Sequence, residues 1–269
     1  MILDEIAEST RKRVEEKKRK VSLEEVKEAA FRKTDSRQGA SKQIDRFPFE
    51  KALADGDISF ICEVKKASPS KGIIAEHFPY LEIAQEYEKA GAAAISCLTE
   101  PEYFLGSDRY LEEIAKKVKI PVLRKDFTVD AYQIYEARVL GAEAILLICA
   151  ILGDAQLKEY IEIADSLRLS ALVEAHDGQE ISRALSCGAR ILGVNNRNLK
   201  DFTINVENSL NLRKNVPEDI IFVAESGIRS NRDIEKLRQG NVQAVLIGET
   251  LMRSPDKKRM LDELRGNRV

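Results

Sequence analysis

Four times along this chain, at roughly 50-residue intervals, a glycine opens an apolar, β-prone run. The runs are Gly91-Ala92-Ala93-Ala94-Ile95, Gly141-Ala142-Glu143-Ala144-Ile145-Leu146-Leu147-Ile148, Gly188-Ala189-Arg190-Ile191-Leu192-Gly193-Val194 and Gly240-Asn241-Val242-Gln243-Ala244-Val245-Leu246-Ile247. Each follows a segment with helical periodicity, so the glycine reads as a helix C-cap ahead of a strand. Four further apolar runs lie between them: Phe60–Val64, Pro121–Arg124, Ala171–Glu174 and Ile220–Ala224. The segments between runs place apolar residues on one helical face, as Ile83, Ala84, Tyr87 and Ala90 do. Similar segments are Tyr110–Val118, Ala131–Leu140, Asp154–Ser166, Gln179–Ser186, Val206–Asn215 and Asn231–Arg238. Eight short strands alternating with helices predict an α/β chain folded as a (β/α)8 barrel. A doubly wound open sheet is the rival, but no GxGxxG turn follows the first run.

The barrel is expected over residues 51–269, and residues 1–50 as a helical extension packed on it. Segment 2–20 reads as a surface helix with Glu15–Arg19 and Glu16–Lys20 pairs. Its basic run, Arg11–Lys20, reads as a solvated face. A second helix is expected from Leu23 to Phe31, and Asp45-Arg46-Phe47-Pro48-Phe49 as a break before the first strand.

Composition excludes several function classes. The 269 residues carry a formal charge of −2, which gives no nucleic-acid footprint. No apolar run is long enough to span a membrane, and the acidic N-terminus lacks the order of a signal peptide. Cys62, Cys97, Cys149 and Cys187 are widely spaced and read as reduced thiols of a cytoplasmic protein. Two histidines without HxH or HExxH spacing predict no metal site and leave acid–base chemistry to Lys and Glu.

In such a barrel the chemistry sits where strands end. Glu63 and Lys65 are two apart and share a face at the end of the first run. Lys125 follows the third run, on the face of Leu123. Glu174 ends the fifth; Asn195, Asn196 and Arg197 end the sixth; Glu225 and Ser226 end the seventh. The opposite strand ends open on bland residues such as Pro121 and Ala189. Phe104, and more weakly Phe127, are candidates for an aromatic wall. His176 reads as structural. Ser226-Gly227-Ile228 and Gly248-Glu249-Thr250 each follow a strand and precede helical sequence, a common phosphate-binding arrangement. Only the backbone of Glu249 suits that role, so its side chain is expected to point away. The loop Ala67–Pro79, with Ser68, glycine and prolines, is expected to be a mobile lid.

Taken together these residues resemble the indole-3-glycerol-phosphate synthase family. The likeness runs from Phe60–Ser70 through Leu98-Thr99-Glu100, Tyr103–Ser107, Leu123–Phe127, Leu172-Val173-Glu174, Gly193–Leu199 and Ala224–Ile228 to Leu246–Glu249, in its monofunctional form. The resemblance implies closure of the indole ring of 1-(2-carboxyphenylamino)-1-deoxyribulose 5-phosphate with loss of CO2 and water. It implies Lys125 as the general acid, and Glu174, Lys65 and Glu63 as candidates for acid–base help in dehydration. Lys65 would face the substrate carboxylate. Asn195 and Arg197 would orient polar groups, with Ser68, Phe104, Phe127, Glu225 and Ser226 binding substrate. Gly227, Gly248 and Glu249 would bind the phosphate. No cofactor is implied. The partner is a phosphorylated small molecule, with no nucleic acid or membrane, and the protein is expected to be a monomer. A proton-donating lysine is expected to have its pKa lowered by burial or nearby cations. A Schiff-base lyase acting through Lys125 or Lys65 is one alternative. Others are a non-catalytic barrel that binds a phosphorylated metabolite, and a phosphate-binding barrel isomerase.

Overall fold

Alternation along each strand sets the architecture. The strands are β1 (Ser59–Val64), the two-residue β2 (Ala67–Ser68) and β3 (Gly72–Ile73), β4 (Ala94–Leu98), β5 (Val122–Lys125), β6 (Ala144–Ile148), β7 (Ser170–Ala175), β8 (Ile191–Asn195), β9 (Ile221–Glu225) and β10 (Ala244–Ile247). In this computed structural model, which describes residues 2–40, 46–54, 56–198 and 203–267, β1 and β4–β10 form a closed, all-parallel barrel in sequence order. Closure comes from pairing of β1 with β10, with Ser59 opposite Ala244 and Cys62 opposite Ile247. Ile61, Leu123, Leu146, Leu172, Ile191, Val223 and Leu246 point inward and form one core. Their neighbours Phe60, Cys62, Val122, Ile145, Leu147, Leu192 and Val245 point outward, into the layer between barrel and helices. The eight expected strands are thus observed, with Lys125 and Glu225 as the last residues of their strands.

The helices are α1 (Ile2–Lys20), α2 (Leu23–Ala40), α3 (Pro48–Ala54), α4 (Tyr80–Lys89), α5 (Asp108–Lys117), α6 (Ala131–Leu140), α7 (Asp154–Ser166), α8 (Gly178–Ser186), α9 (Glu207–Arg213), α10 (Asn231–Gln239), α11 (Glu249–Arg253) and α12 (Lys257–Arg265). Short polar side chains start several of them. Ser107, Asp130, Asp177 and Asp256 accept first-turn N–H groups, and Ser230 and Asp233 form a reciprocal capping box. The C-cap reading of the glycines holds at Gly141, which is left-handed with φ 104°. It holds at Gly240 as well, but with φ −81°, and the following Asn241 takes the left-handed turn, with φ 56°. Gly240 is there for close packing, since a Cβ would lie 2.4 Å from Leu210 Cδ2.

Three parts of the N-terminal region depart from expectation. The second helix runs past Phe31 to Ala40, lying along α6 with Phe31 and Tyr135 rings 6.3 Å apart. Pro48 starts a helix rather than breaking one, because a first-turn residue needs no N–H donor and φ is preset. One turn apart on α3, Phe49 and Leu53 join the inner core, and residue 50 falls within that helix. Asp45 and Leu199, which the sequence reading also used, lie outside the described residues.

The third departure concerns the basic run of α1. Leu3, Ile6, Ala7, Thr10 and Val14 are buried along one side of this helix. From it, Arg13 reaches Glu100 (3.3 Å) and Asp126 (3.4 Å), and Lys18 reaches Asp130 (2.6 Å). Lys17 binds Glu136 at 2.7 Å and also Asp108. These acids lie just beyond β4 and β5 or on α5 and α6, so much of the run is docked rather than solvated. Lys18 pairs with Glu15 (3.1 Å) in place of the expected Glu15–Arg19 contact. Cys62, Cys97 and Cys149 are buried, Cys187 is half-buried, and all four thiols are unpaired. Among the described residues no helix is long and apolar enough to cross a membrane.

Candidate active site

The inward face of each strand carries apolar residues through the barrel and then changes character in its last turn. Two residues beyond Ile61 stands Glu63, and beyond Leu123 stands Lys125. In the same way Leu172 leads to Glu174, Ile191 to Gly193 and Asn195, Val223 to Glu225, and Leu246 to Gly248. The strand period of two therefore brings these groups to one mouth. Ladder register sets them side by side: Glu174 is opposite Gly193, and Asn195 opposite Glu225.

Two ammonium groups sit among three carboxylates. Lys65 Nζ is 2.5 Å from Glu63 Oε1. Lys125 Nζ is 2.9 Å from Glu225 Oε2 and 3.8 Å from Glu174 Oε2. Ser96 donates to Glu63 (3.4 Å), and Asn195 donates to Glu174 (3.5 Å) while accepting the Arg197 backbone N–H (3.0 Å). Glycines make room for this cluster. A Cβ at Gly193 would lie 2.3 Å from Glu225 Oε1, and one at Gly248 would lie 2.4 Å from Glu63 Oε1. Gly248, assigned from sequence to phosphate alone, thus also seats the Glu63–Lys65 pair.

Burial and neighbours pull these groups in opposite directions. Burial disfavours the Glu63 carboxylate, but Lys65, Lys125 and Ser96 overcome it and hold Glu63 below its ordinary pKa. Glu225 is pushed up to about 7, by burial first and by Glu174 and Glu63 against the pull of Lys125. Burial alone would lower Lys125, yet Glu225, Glu174 and Glu63 raise it above its ordinary range. This corrects the sequence expectation. The groups around Lys125 are anions, so it is held protonated rather than softened.

The cluster opens into a cavity of about 430 Å³ lined by Glu63, Lys65, Lys125, Glu174, Asn195, Arg197 and Glu225. Ser68, Phe104 and Phe127 form part of its wall, with the two rings 6.1 Å apart. Glu100 shapes the Phe104 loop by accepting the N–H groups of Tyr103 (2.7 Å) and Phe104 (3.1 Å). Ser226, Gly227, Gly248 and Glu249 also line the cavity. Ser226 and Gly227 are both left-handed, with φ 68° and 83°. Left-handed backbone costs a residue with a Cβ about 1–2 kcal/mol. Asn196 fixes this turn by donating to Ser226 O (3.2 Å), and Thr250 Oγ1 donates to Ile228 O (2.8 Å), joining the two glycine turns. The Glu249 side chain pairs with Arg253 (3.1 Å) and Lys71 (3.8 Å).

The strand-end and loop residues read as catalytic, substrate-binding or phosphate-binding all line one cavity, while Asn196 lies outside it, bound to Ser226 O and Ser209. Sequence reading missed Ile2, Leu3 and Ile6 of α1, which also line it, and the apolar floor of Leu98, Leu146, Ile148 and Leu246. The floor was legible as the inward positions preceding the polar ends. The α1 contribution had no local signal, because it depends on where the helix docks. Within the loop after β1, expected to be a mobile lid, Ala67 pairs with Ile73 and Ser68 with Gly72 as a small hairpin.

Glu225 also gives stability a pH signature. Folded Glu225 keeps its proton up to about 7, against an ordinary 4.5. Between those values the folded state binds more protons, so this group's contribution falls as pH rises and stays lost above. Relative to the unaltered protein, the Tm of Glu225→Gln is expected to climb between about pH 5 and about pH 8. A difference that stays flat across thermal melts in that range would contradict the raised pKa.

The comparisons agree with this geometry. A family model described as indole-3-glycerol phosphate synthase matches residues 3–264. An indole-3-glycerol phosphate synthase of Ruminiclostridium cellulolyticum is 58% identical over 269 residues, covering 99% of this chain and 100% of that protein. Another, from Lachnoclostridium phytofermentans, is 51% identical over 268 residues, covering 98% and 99%. Among solved structures a 3-hexulose-6-phosphate synthase superposes with a TM-score of 0.63 at 13% identity, covering 78% of this chain and 99% of that one, a likeness of fold alone. The chain belongs to the indole-3-glycerol phosphate synthase family.

Proposed function

We propose that this enzyme converts 1-(2-carboxyphenylamino)-1-deoxyribulose 5-phosphate to indole-3-glycerol phosphate, releasing CO2 and water. The observation that carries the reading is Lys125, held as an ammonium between Glu225 (2.9 Å) and Glu174 (3.8 Å) at the wall of a closed-barrel cavity. Ring closure joins the carboxylate-bearing ring carbon to the ketone carbon, and the ketone oxygen becomes an alkoxide. An alkoxide is more basic than an amine, so Lys125 can protonate it even with its own pKa raised. CO2 leaves as the ring regains aromaticity, and water leaves as the pyrrole double bond forms. Every step moves protons or breaks a bond without net oxidation, so no redox cofactor is required.

Lys65 faces the same cavity and suits the substrate carboxylate. Phe104, Phe127, Leu146 and Ile148 offer an apolar bed for the aromatic ring. A carboxylate stripped of water there is predisposed to decarboxylate. Between the candidate bases the contacts favour Glu174. Glu63 is engaged by Lys65 at 2.5 Å and held ionised below its usual range, which makes it a weak base. Glu174 has looser partners, at 3.5 Å and 3.8 Å, and is our proton acceptor for dehydration. Asn195 orients Glu174 and the Arg197 backbone. Gly227, Gly248 and Glu249 bind the phosphate through their backbone, with Ser226 beside them. Ser68 closes over the substrate with the β2–β3 hairpin acting as the lid. The Schiff-base alternative finds no support at Lys125, because an amine must lose its proton to attack a carbonyl.

Residues 1–50 are read as an extension completing the barrel mouth through α1. Unpaired buried thiols support a cytoplasmic location.

The test is to mix enzyme and substrate and follow indole fluorescence. Turnover is expected, and folded protein that gives no signal would sink the reading. Replacement Lys125→Met should lower kcat by about 100- to 10,000-fold, the range of a lost general acid. The glycine seat makes a second prediction. In Gly248→Ala the new Cβ would meet Glu63 Oε1 at 2.4 Å and Lys65 Nζ at 3.1 Å. Displacing that pair should cost about 100-fold in kcat/KM with the fold retained. Wild-type kinetics in this variant would show that the pair does not position substrate.

A further inference from the structure

His176, one residue beyond the end of β7, takes no part in the scheme above, yet it stands behind Glu174. Its Nδ1 is 3.2 Å from Glu180 Oε2, and the same oxygen accepts the His176 backbone N–H at 2.8 Å. Its Nε2 is directed at Glu174 Oε1, 3.6 Å away, and is buried with no hydrogen-bond partner among the described residues. Helix capping accounts for part of this. Glu180 lies in the first turn of α8, where Asp177 accepts its N–H (2.9 Å) and Glu180 takes up the backbone N–H just before the cap. Capping does not require an imidazole at position 176, nor that its far nitrogen face a carboxylate of the site.

We propose that His176 is a positioning residue for the reaction: clamped by Glu180, it holds Glu174 Oε1 from behind, so that Oε2 faces Lys125 and the substrate. The proposal rests on the functional reading above, in which Glu174 is the proton acceptor. Two carboxylates flanking one imidazole favour the imidazolium, which donates from both nitrogens. The surroundings agree. Burial works against the charge, but Glu180, Glu174 and, from β9, Glu225 raise the His176 pKa above its ordinary 6.5. The other ionisable groups nearby leave that balance in place. Lys125 from β5 is committed to Glu225 and Glu174. The Cys149 thiol, beyond β6, is pushed up to about 12 by burial and stays neutral. Arg183 of α8 is held by Asp154 and by the carbonyls of Cys149 and Leu152.

A cation behind a carboxylate lowers its pKa. It favours the ionised form, so without it activity that needs an ionised carboxylate in the cluster will fade at a higher pH. His176→Ala is expected to lower kcat about 10- to 100-fold, as loss of a partner behind a functional ligand does. KM should change little, and the acid limb of the kcat–pH profile should move upward. Gln places an uncharged donor where Nε2 stood. His176→Gln should therefore recover most of kcat while the limb stays displaced. A profile that only scales down in His176→Ala, with its limb unmoved, would overturn the proposal.

A second measurement does not depend on turnover. The chain has two histidines, so in His77→Asn the remaining imidazole is His176, and NMR titration reads its midpoint directly. The midpoint should lie above the ordinary 6.5 and fall when Glu174→Gln is added. A midpoint at or below that value, unmoved by Glu174→Gln, would overturn the pairing. If the unaltered enzyme does not turn over substrate while the midpoint follows Glu174, the functional reading fails and the pairing stands.

Discussion

Two ammonium groups and three carboxylates share the mouth of this barrel, and the rest of the site is arranged around keeping them together. Removing one partner from a buried ion pair costs about 3–5 kcal/mol, because the other charge is left stranded away from water. Here the stranding risk is distributed. Lys125 faces Glu225 and Glu174, and Lys65 faces Glu63. Three negative charges against two positive ones leave a surplus, and Glu225 absorbs it by keeping its proton up to about 7. The cluster is thus able to store or release a proton beside the lysine proposed as the donor.

The same economy explains the glycines. Gly193 and Gly248 occupy inward positions that a side chain would otherwise fill, and each leaves space for one carboxylate of the cluster. The far edge of the mouth is fixed by polar contacts of a different kind. Arg13 and Lys17 of α1 meet Glu100, Asp126, Asp108 and Glu136, and buried Arg124 binds Asp108 and Glu136 at 2.8 Å each. Through Glu100 this network reaches the Phe104 loop. The N-terminal helix therefore supports the aromatic wall as well as covering the mouth with Ile2, Leu3 and Ile6.

Much of this was legible in the sequence, because strand alternation is a local rule. Once Ile61, Leu123, Leu172 and Val223 are inward, Glu63, Lys125, Glu174 and Glu225 must be inward too. What escaped depended on long-range geometry. Pro48 reads as a breaker until Phe49 and Leu53 are seen to join the inner core. The basic stretch of α1 reads as solvated until its acidic partners, some 90 to 120 residues away in sequence, are in place. The direction of the Lys125 pKa was unreadable because its sign depends on which charges surround it. The direction of the far nitrogen of His176 was unreadable for the same reason, since only the fold places it behind Glu174.

The account turns on where the substrate's ketone oxygen meets the cluster. A crystal structure of the enzyme with an analogue whose ketone is reduced to an alcohol tests this directly. The account predicts that alcohol within hydrogen-bond distance of Lys125 Nζ, the ring against Phe104 and Phe127, and the phosphate at the Ser226-Gly227 and Gly248-Glu249 turns. An analogue bound with its alcohol turned away from Lys125, or with its phosphate at the other end of the cavity, would contradict it.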